Sequence, residues 1–360
     1  MPPARIAPAD REDDRPLKLS ISRDAALPAA FVAAVTRIFI DLALDGGPVH
    51  NGVWIAALLG ALPVLPYLVC LDMVGVGKCR YATVGRLLAG LLLAATALDG
   101  ARIVSVVLRA SGFLVLDPVS PFMLVLPVVL AALWCTCRNG DAIGYAAMLW
   151  RRAFPALMLV VMILQWRHYR PQWLRPWLGN GWGEIAGEAI RTAGCYVPAT
   201  SVLLICRHDD ETGKRPFTVA WIALASAVAS LLLVFRLMMT PSGTNDMAWI
   251  TRLDALLTNG RAPLYLQLPM IVAFFVGLMH LLACECFAAA ALLQRLIPRL
   301  NGRVCAGIVI LICAVLPFVR SFRSMLDRAM PWLFIAAALP VALAALSQFH
   351  FNGGKRSCES

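Results

Sequence analysis

Apolar residues fill this chain in long blocks separated by short polar stretches, and the block length decides the fold class. A helix that crosses a hydrocarbon core of about 30 Å needs roughly 20 apolar residues. Blocks of that length fall over residues 26–44, 52–73, 84–107, 113–136, 145–166, 184–206, 217–239, 265–294, 303–320 and 331–349. The fifth is interrupted by Arg151, Arg152 and Pro155, and the eighth is long enough to tilt. The period-two alternation of a membrane β-barrel is missing, and helices are the other way to satisfy every backbone group in lipid. The pattern predicts an all-α integral membrane protein of about ten transmembrane helices. Between the seventh and eighth blocks, TNDMAWITRLDALLTN places its apolar residues largely on one side and predicts an amphipathic helix on the outer membrane face.

Composition agrees. Hydrophobic residues make up 60% of the 360 and charged ones 15%, against about 25% charged in an ordinary soluble domain. Mean hydropathy is +0.74. The net charge of +11 is spread over many loops, so its expected counterparts are membrane lipid headgroups and no nucleic acid. With the N-terminus inside, Lys and Arg sort roughly two to one toward the cytoplasm, which predicts both termini on that side. Residues 1–24 read as a flexible cytoplasmic tail without the layout of a cleavable signal. The membrane domain is expected over 25–350, and 351–360 form a second cytoplasmic tail. Most of the eleven cysteines sit in apolar runs and are expected as thiols.

Charge at membrane depth is costly and marks function. Of six glutamates, Glu184, Glu188 and Glu285 fall in apolar blocks. On a helix Glu184, Glu188 and Arg191 share one face at i, i+4 and i+7. Beside them run Gly183, Gly187 and Gly194, with GxxxG spacing that permits a close helix neighbour. Two readings stay open: a self-neutralising pair near the interface, or the polar lining of a path. Gly194 and Pro198 allow a helix break of the kind that holds ligands in transporters. Thr36, Arg37 and Asp41 lie in the first block and Asp99 and Arg102 in the third, each charged pair spaced for local neutralisation. His280 and Cys284 share a face of the eighth block, but Cys286 does not and no fourth ligand is evident, so no metal is expected. No nucleotide loop, zinc-protease motif or nucleophile elbow occurs, and neither enzyme chemistry nor a cofactor is expected.

The order of features resembles the polytopic B subunit of bacterial spore germinant receptors, a branch of the amino acid, polyamine and organocation transporter superfamily. The resemblance runs through LKLSISRDAALPAAFVAAV, with Arg23 where a glutamine would stand, and DGGPVHNGVWIAALLGALPVLPYLVCL. It continues in WLRPWLGNGWGEIAGEAIRTAGCYVPATSVLLIC, the basic loop RHDDETGKR, PFTVAW and the final MPWLFIAAALPVALAALSQF. It implies two inverted five-helix repeats, about 25–168 and 183–350, with the first and sixth helices interrupted and a ligand site between them. The sixth-helix break would fall around Gly194 to Pro198. The block FVAAVTRIFIDLAL has neither glycine nor proline near its middle, and Ala142 and Ala146 stand where relatives favour glutamate and arginine.

The function so implied is a receptor subunit of the spore inner membrane that binds a small nutrient, an amino acid in the first instance, beside a membrane A subunit and a lipoprotein C subunit. The alternative is a proton- or ion-coupled amino-acid transporter with Glu188 or Asp99 as the coupling carboxylate. A ligand-free scaffold is the third. The residues expected to line the ligand site are Thr36, Arg37, Asp99, Gly187, Glu188, Arg191 and Gly194.

Overall fold

The computed structural model describes residues 19–44, 50–74, 82–113, 121–138, 140–165, 169–179, 181–205, 218–239 and 267–319, with positions 332, 338, 339 and 341. All regular structure of any length there is helical. The helices are α1 (Arg23–Leu44), α2 (Val53–Leu59), α3 (Val64–Val74), α4 (Ala82–Phe113), α5 (Pro121–Arg138), α6 (Gly140–Gln165), α7 (Trp182–Ala199), α8 (Ser201–Leu204), α9 (Thr218–Met239), α10 (Gln267–Leu296) and α11 (Gly302–Val315). Val53–Cys70, Gly85–Leu108 and Val272–Leu296 are long and apolar enough to cross a membrane, and Val125–Arg138, Ala220–Phe235 and Gly302–Phe318 are shorter apolar stretches. Most of the expected tenth span and the amphipathic segment 244–259 lie outside the described residues.

α10 is the axis of the bundle. Residues 280–292 are buried on every side, and four consecutive alanines, Ala288 to Ala291, leave room for neighbours to approach closely. α4, α5 and α11 pack on it, and so do α1 and α6. α1 in turn packs on α6, α9 and α7. α6 runs unbroken through Arg151 and Arg152, so the polar interruption seen in the sequence does not end the helix.

Among the described residues two crossings are broken. Between α2 and α3, the amides of Ala61 and Leu62 turn to Leu58 and Leu59 three residues back, at 3.3 and 3.0 Å. The chain tightens there because Pro63 has no amide to offer the next turn. The Ala57 carbonyl loses its usual helical partner and accepts from the Ser226 hydroxyl of α9 at 2.7 Å, while Ser230 donates to Trp54 at 2.6 Å. A Cβ added at Gly60 would meet Thr192 Cβ at 2.9 Å, so glycine lets α7 sit against the break. The second break is one residue, Thr200, between α7 and α8. Its hydroxyl donates toward Tyr196 at 2.8 Å and Val197 at 3.2 Å.

The interruption of the sixth crossing therefore lies beyond Gly194 and Pro198, both of which stay inside α7. α1 is continuous from Arg23 to Leu44, as its lack of a central glycine or proline favours and unlike the interrupted first helix that the family resemblance implied. Within the segment read as a tail, Leu19 and Ile21 are buried, and the Ser22 amide donates to the Asp141 carboxylate at 2.8 Å. The described cysteines are free thiols.

Gly144 on α6 lies directly against Ala25 of α1, so that an added Cβ would overlap it, whereas Gly90 on α4 has nothing within 4 Å. Gly144→Val is expected to destabilise the bundle by about 1–3 kcal/mol through overpacking. Gly90→Val carries the same helix-propensity change without the clash. The check is the thermal midpoint of the detergent-purified protein; equal shifts for the two variants would dissolve the close-packing account of α1 and α6.

Candidate functional site

Polar chemistry in this bundle collects where α1, α4 and α10 meet. Arg37 leaves α1 and its Nη2 lies 2.6 Å from Asp99 Oδ1 on α4, with both side chains buried at 1% and 0% exposure. The sequence spacing pointed to local pairs, Arg37 with Asp41 and Asp99 with Arg102. The structure joins one member of each across two helices, and the side chain of Asp41 lies outside the described residues. Arg102 is also buried.

Glu285 of α10 completes the cluster. It is wholly buried, and Asp99 and Arg37 both act on it electrostatically. Among the described residues neither of its carboxylate oxygens has a hydrogen-bond partner. Burying a charge without a partner is costly, so this carboxyl group is held neutral or is accompanied by a cation. Asp99 differs, because Arg37 answers it directly.

A second cluster lies along α7. Glu188 is buried at 7% exposure and its Oε1 is 3.4 Å from Nε of the half-exposed Arg191. The neighbouring buried positions are Ile185, Ala189, Thr192 and Cys195, so Glu188 sits on the protein-facing side of the helix. The small-residue stripe does not behave as its spacing suggested. Gly183 and Gly187 are exposed and nothing lies within 4 Å of a Cβ built on either, so no neighbour uses the GxxxG approach among the described residues. Gly194 is buried inside α7.

A cavity of about 390 Å³ lies to the other side of α1. Its walls are apolar, aliphatic side chains such as Val35 and Leu232 together with six rings: Phe31 and Phe39 of α1, Trp150 and Phe154 of α6, Trp221 of α9 and Phe274 of α10. Phe31 and Trp221 meet edge to face with centroids 5.5 Å apart, and Trp150 and Phe154 tilt together at 5.6 Å. Thr36 and Arg151 supply the polar part of the lining, and Arg151 lies 4.8 Å above the Trp221 ring. Gly277 of α10 lets Thr36 approach, since an added Cβ would come within 3.1 Å of it.

The expected site residues thus divide among three places: Arg37 and Asp99 at the ion cluster, Thr36 in the aromatic cavity, and Gly187, Glu188, Arg191 and Gly194 along α7. Glu285 stood out in the sequence as a membrane-placed acid but was not connected with Arg37 and Asp99. Nothing in the sequence tied the six aromatic walls of the cavity to one another. His280 Nε2 lies 3.2 Å from the Ala29 carbonyl oxygen and 3.4 Å from Cys284 Sγ, and no third metal-binding side chain joins them among the described residues.

No protein-family model matches the sequence, and no curated protein matches it significantly. Solved structures do match. The nucleobase-cation-symport-1 family transporter MHP1, in a closed conformation with bromovinylhydantoin bound, superposes with a TM-score of 0.63 at 14% identity, over 91% of this chain and 78% of that one. Structures of a manganese transporter from Eremococcus coleocola match at a TM-score of 0.48, one at 13% identity over 89% of this chain and 76% of that one, another at 14% over 92% and 81%. The chain is an all-helical integral membrane protein with a transporter-like fold.

If Arg37 and Asp99 neutralise each other, removing one alone leaves a buried unmatched charge. Arg37→Met or Asp99→Leu is expected to cost about 3–5 kcal/mol, and the double variant much less than the sum. Thermal midpoints and monodisperse yield in detergent read the cycle. Simple additivity would mean that the two groups do not depend on each other.

Proposed function

We propose that the protein is a secondary transporter that carries a small organic solute together with a proton, and that Glu285 carries the proton. The supporting observation is the setting of Glu285, buried beside the pair of Arg37 and Asp99. Among the described residues its two oxygens lack hydrogen-bond partners. A carboxyl group in that position is stable when protonated and becomes acceptable as an anion once water or a cation reaches it. One proton is then taken up on one side and released on the other as the bundle changes packing. The sequence reading named Asp99 or Glu188 for this role. Each of those has an arginine within ion-pair distance, which makes Glu285 the better carrier.

The transporter reading is preferred over a germinant-receptor subunit on the same ground. A receptor needs two packings that a ligand biases differently, and nothing in that task requires an extra carboxyl group in the membrane interior. The nutrient and the A and C partner subunits follow from the sequence resemblance alone. The transporter fold of the chain supports movement of a solute across a membrane.

The test uses purified protein in liposomes with an inward proton gradient and radiolabelled amino acids and small aromatic acids outside. Gradient-driven accumulation of one solute class, abolished by a protonophore, is expected. Glu285→Gln should lose accumulation while keeping solute exchange at equal pH, because the amide fills the same space but carries no proton. Accumulation that persists in Glu285→Gln would remove Glu285 from coupling, and no flux of any solute would overturn the transport reading.

A further inference from the structure

We infer that the aromatic cavity between α1, α6, α9 and α10 is a binding site for a small aromatic carboxylate, with Arg151 receiving the carboxylate and the surrounding rings receiving the apolar body. This deepens the transport reading by naming a solute class, and for that part it rests on the reading.

The argument begins with Arg151. It occupies the twelfth position of the 26-residue helix α6 and is partly buried. A guanidinium that borders an apolar cavity gains from an anionic partner there. Among the described residues it has no carboxylate partner, and its contact is the face of Trp221 at 4.8 Å. Stacking on an indole orients the fork and leaves its edge donors available for an anion. Its side chain lines the cavity itself.

The remaining walls define the rest of the ligand. Phe31, Phe39, Trp150, Phe154, Trp221 and Phe274 supply the aromatic part of a lining otherwise made mostly of aliphatic side chains, and ring pairs prefer offset or edge-to-face contact. Thr36 is the second polar group of the lining, able to donate to a carboxylate or accept from a ring N–H. A volume of about 390 Å³ falls in the range of small-molecule sites, about 300–1,000 Å³. A cation is disfavoured by Arg151, and a sugar or other strongly polar solute finds too few partners. An aromatic carboxylate satisfies both the charge and the rings. Moved together with one proton, it also crosses the membrane without net charge.

Equilibrium dialysis of the full chain in lipid nanodiscs tests this, with radiolabelled phenylacetate, cinnamate and indole-3-acetate as probes, and phenylacetamide, phenethylamine and decanoate as comparators. Saturable binding of at least one aromatic acid is expected, about tenfold to a hundredfold tighter than its amide or amine counterpart, as for a hydrogen-bonded charge pair. Decanoate should bind more weakly than the aromatic acids. Arg151→Gln should bring acid and amide to equal affinity, and Gly277→Leu, which fills the cavity beside Thr36, should abolish both. A variant is read only where it elutes monodisperse with the wild type. No saturable binding of any of the three acids by the wild type, or an unchanged acid preference in Arg151→Gln, overturns the site; decanoate binding as tightly as the acids overturns the aromatic class. Binding with these properties but no proton-driven uptake of the same acid supports the site and overturns the transport reading, so the two failures are separable.

Discussion

A guanidinium cannot enter a low-dielectric interior alone, and the packing of this bundle follows from where Arg37 finds its counter-charge. Its partner Asp99 belongs to α4 and the neighbouring acid Glu285 to α10. α1 and α4 are thereby held in one axial register, because sliding either of them by a turn, about 5.4 Å, would strand a charge. A buried ion pair adds little net stability compared with apolar residues of equal volume. Its presence points to what the register makes possible, an acid poised beside a fixed positive charge at the centre of a helix bundle.

The rest of the architecture keeps that centre close-packed. The alanine run on α10 and the glycines at 140 and 144 on α6 bring backbones together. Where helices break, hydroxyl groups donate to nearby carbonyls. Ser226 serves Ala57 of α2, and Thr200 adds its hydroxyl to its own amide on the Tyr196 carbonyl at the end of α7. Both breaks border on α7, which also carries the Glu188 and Arg191 pair. Among the described residues the backbone irregularity thus gathers around the second and sixth crossings, and the first is continuous.

How much of this was legible in the sequence follows from which forces are local. Lipid imposes a fixed length on every crossing, so blocks such as 217–239 and 265–294 announced α9 and α10 within a few residues. The continuity of α1 could be read from its lack of a central glycine or proline. Pairing across helices could not be read, because Arg37 and Asp99 are separated by a whole crossing and each had a nearer opposite charge in sequence. The stripe at Gly183 and Gly187 shows the limit of pattern: small residues permit an approach, but only a neighbour that is there makes use of it. Pro198 misled in a similar way, since the chain remains helical through it and gives way at Thr200, whose amide and hydroxyl both donate to the Tyr196 carbonyl. The aromatic cavity was invisible because its six rings come from four helices.

Thr36 and Arg37 are consecutive on α1, about 100° apart around the helix, and they look into different compartments: one into the aromatic cavity, the other into the ion cluster. Since α1 is unbroken, it acts as a rigid axle. A small turn about its long axis displaces both side chains at once, withdrawing Arg37 from Asp99 as it shifts Thr36 relative to Gly277. Mechanical linkage between the two compartments is therefore built into two adjacent residues of a stiff rod, and a hinge in this helix would weaken the linkage by absorbing the twist.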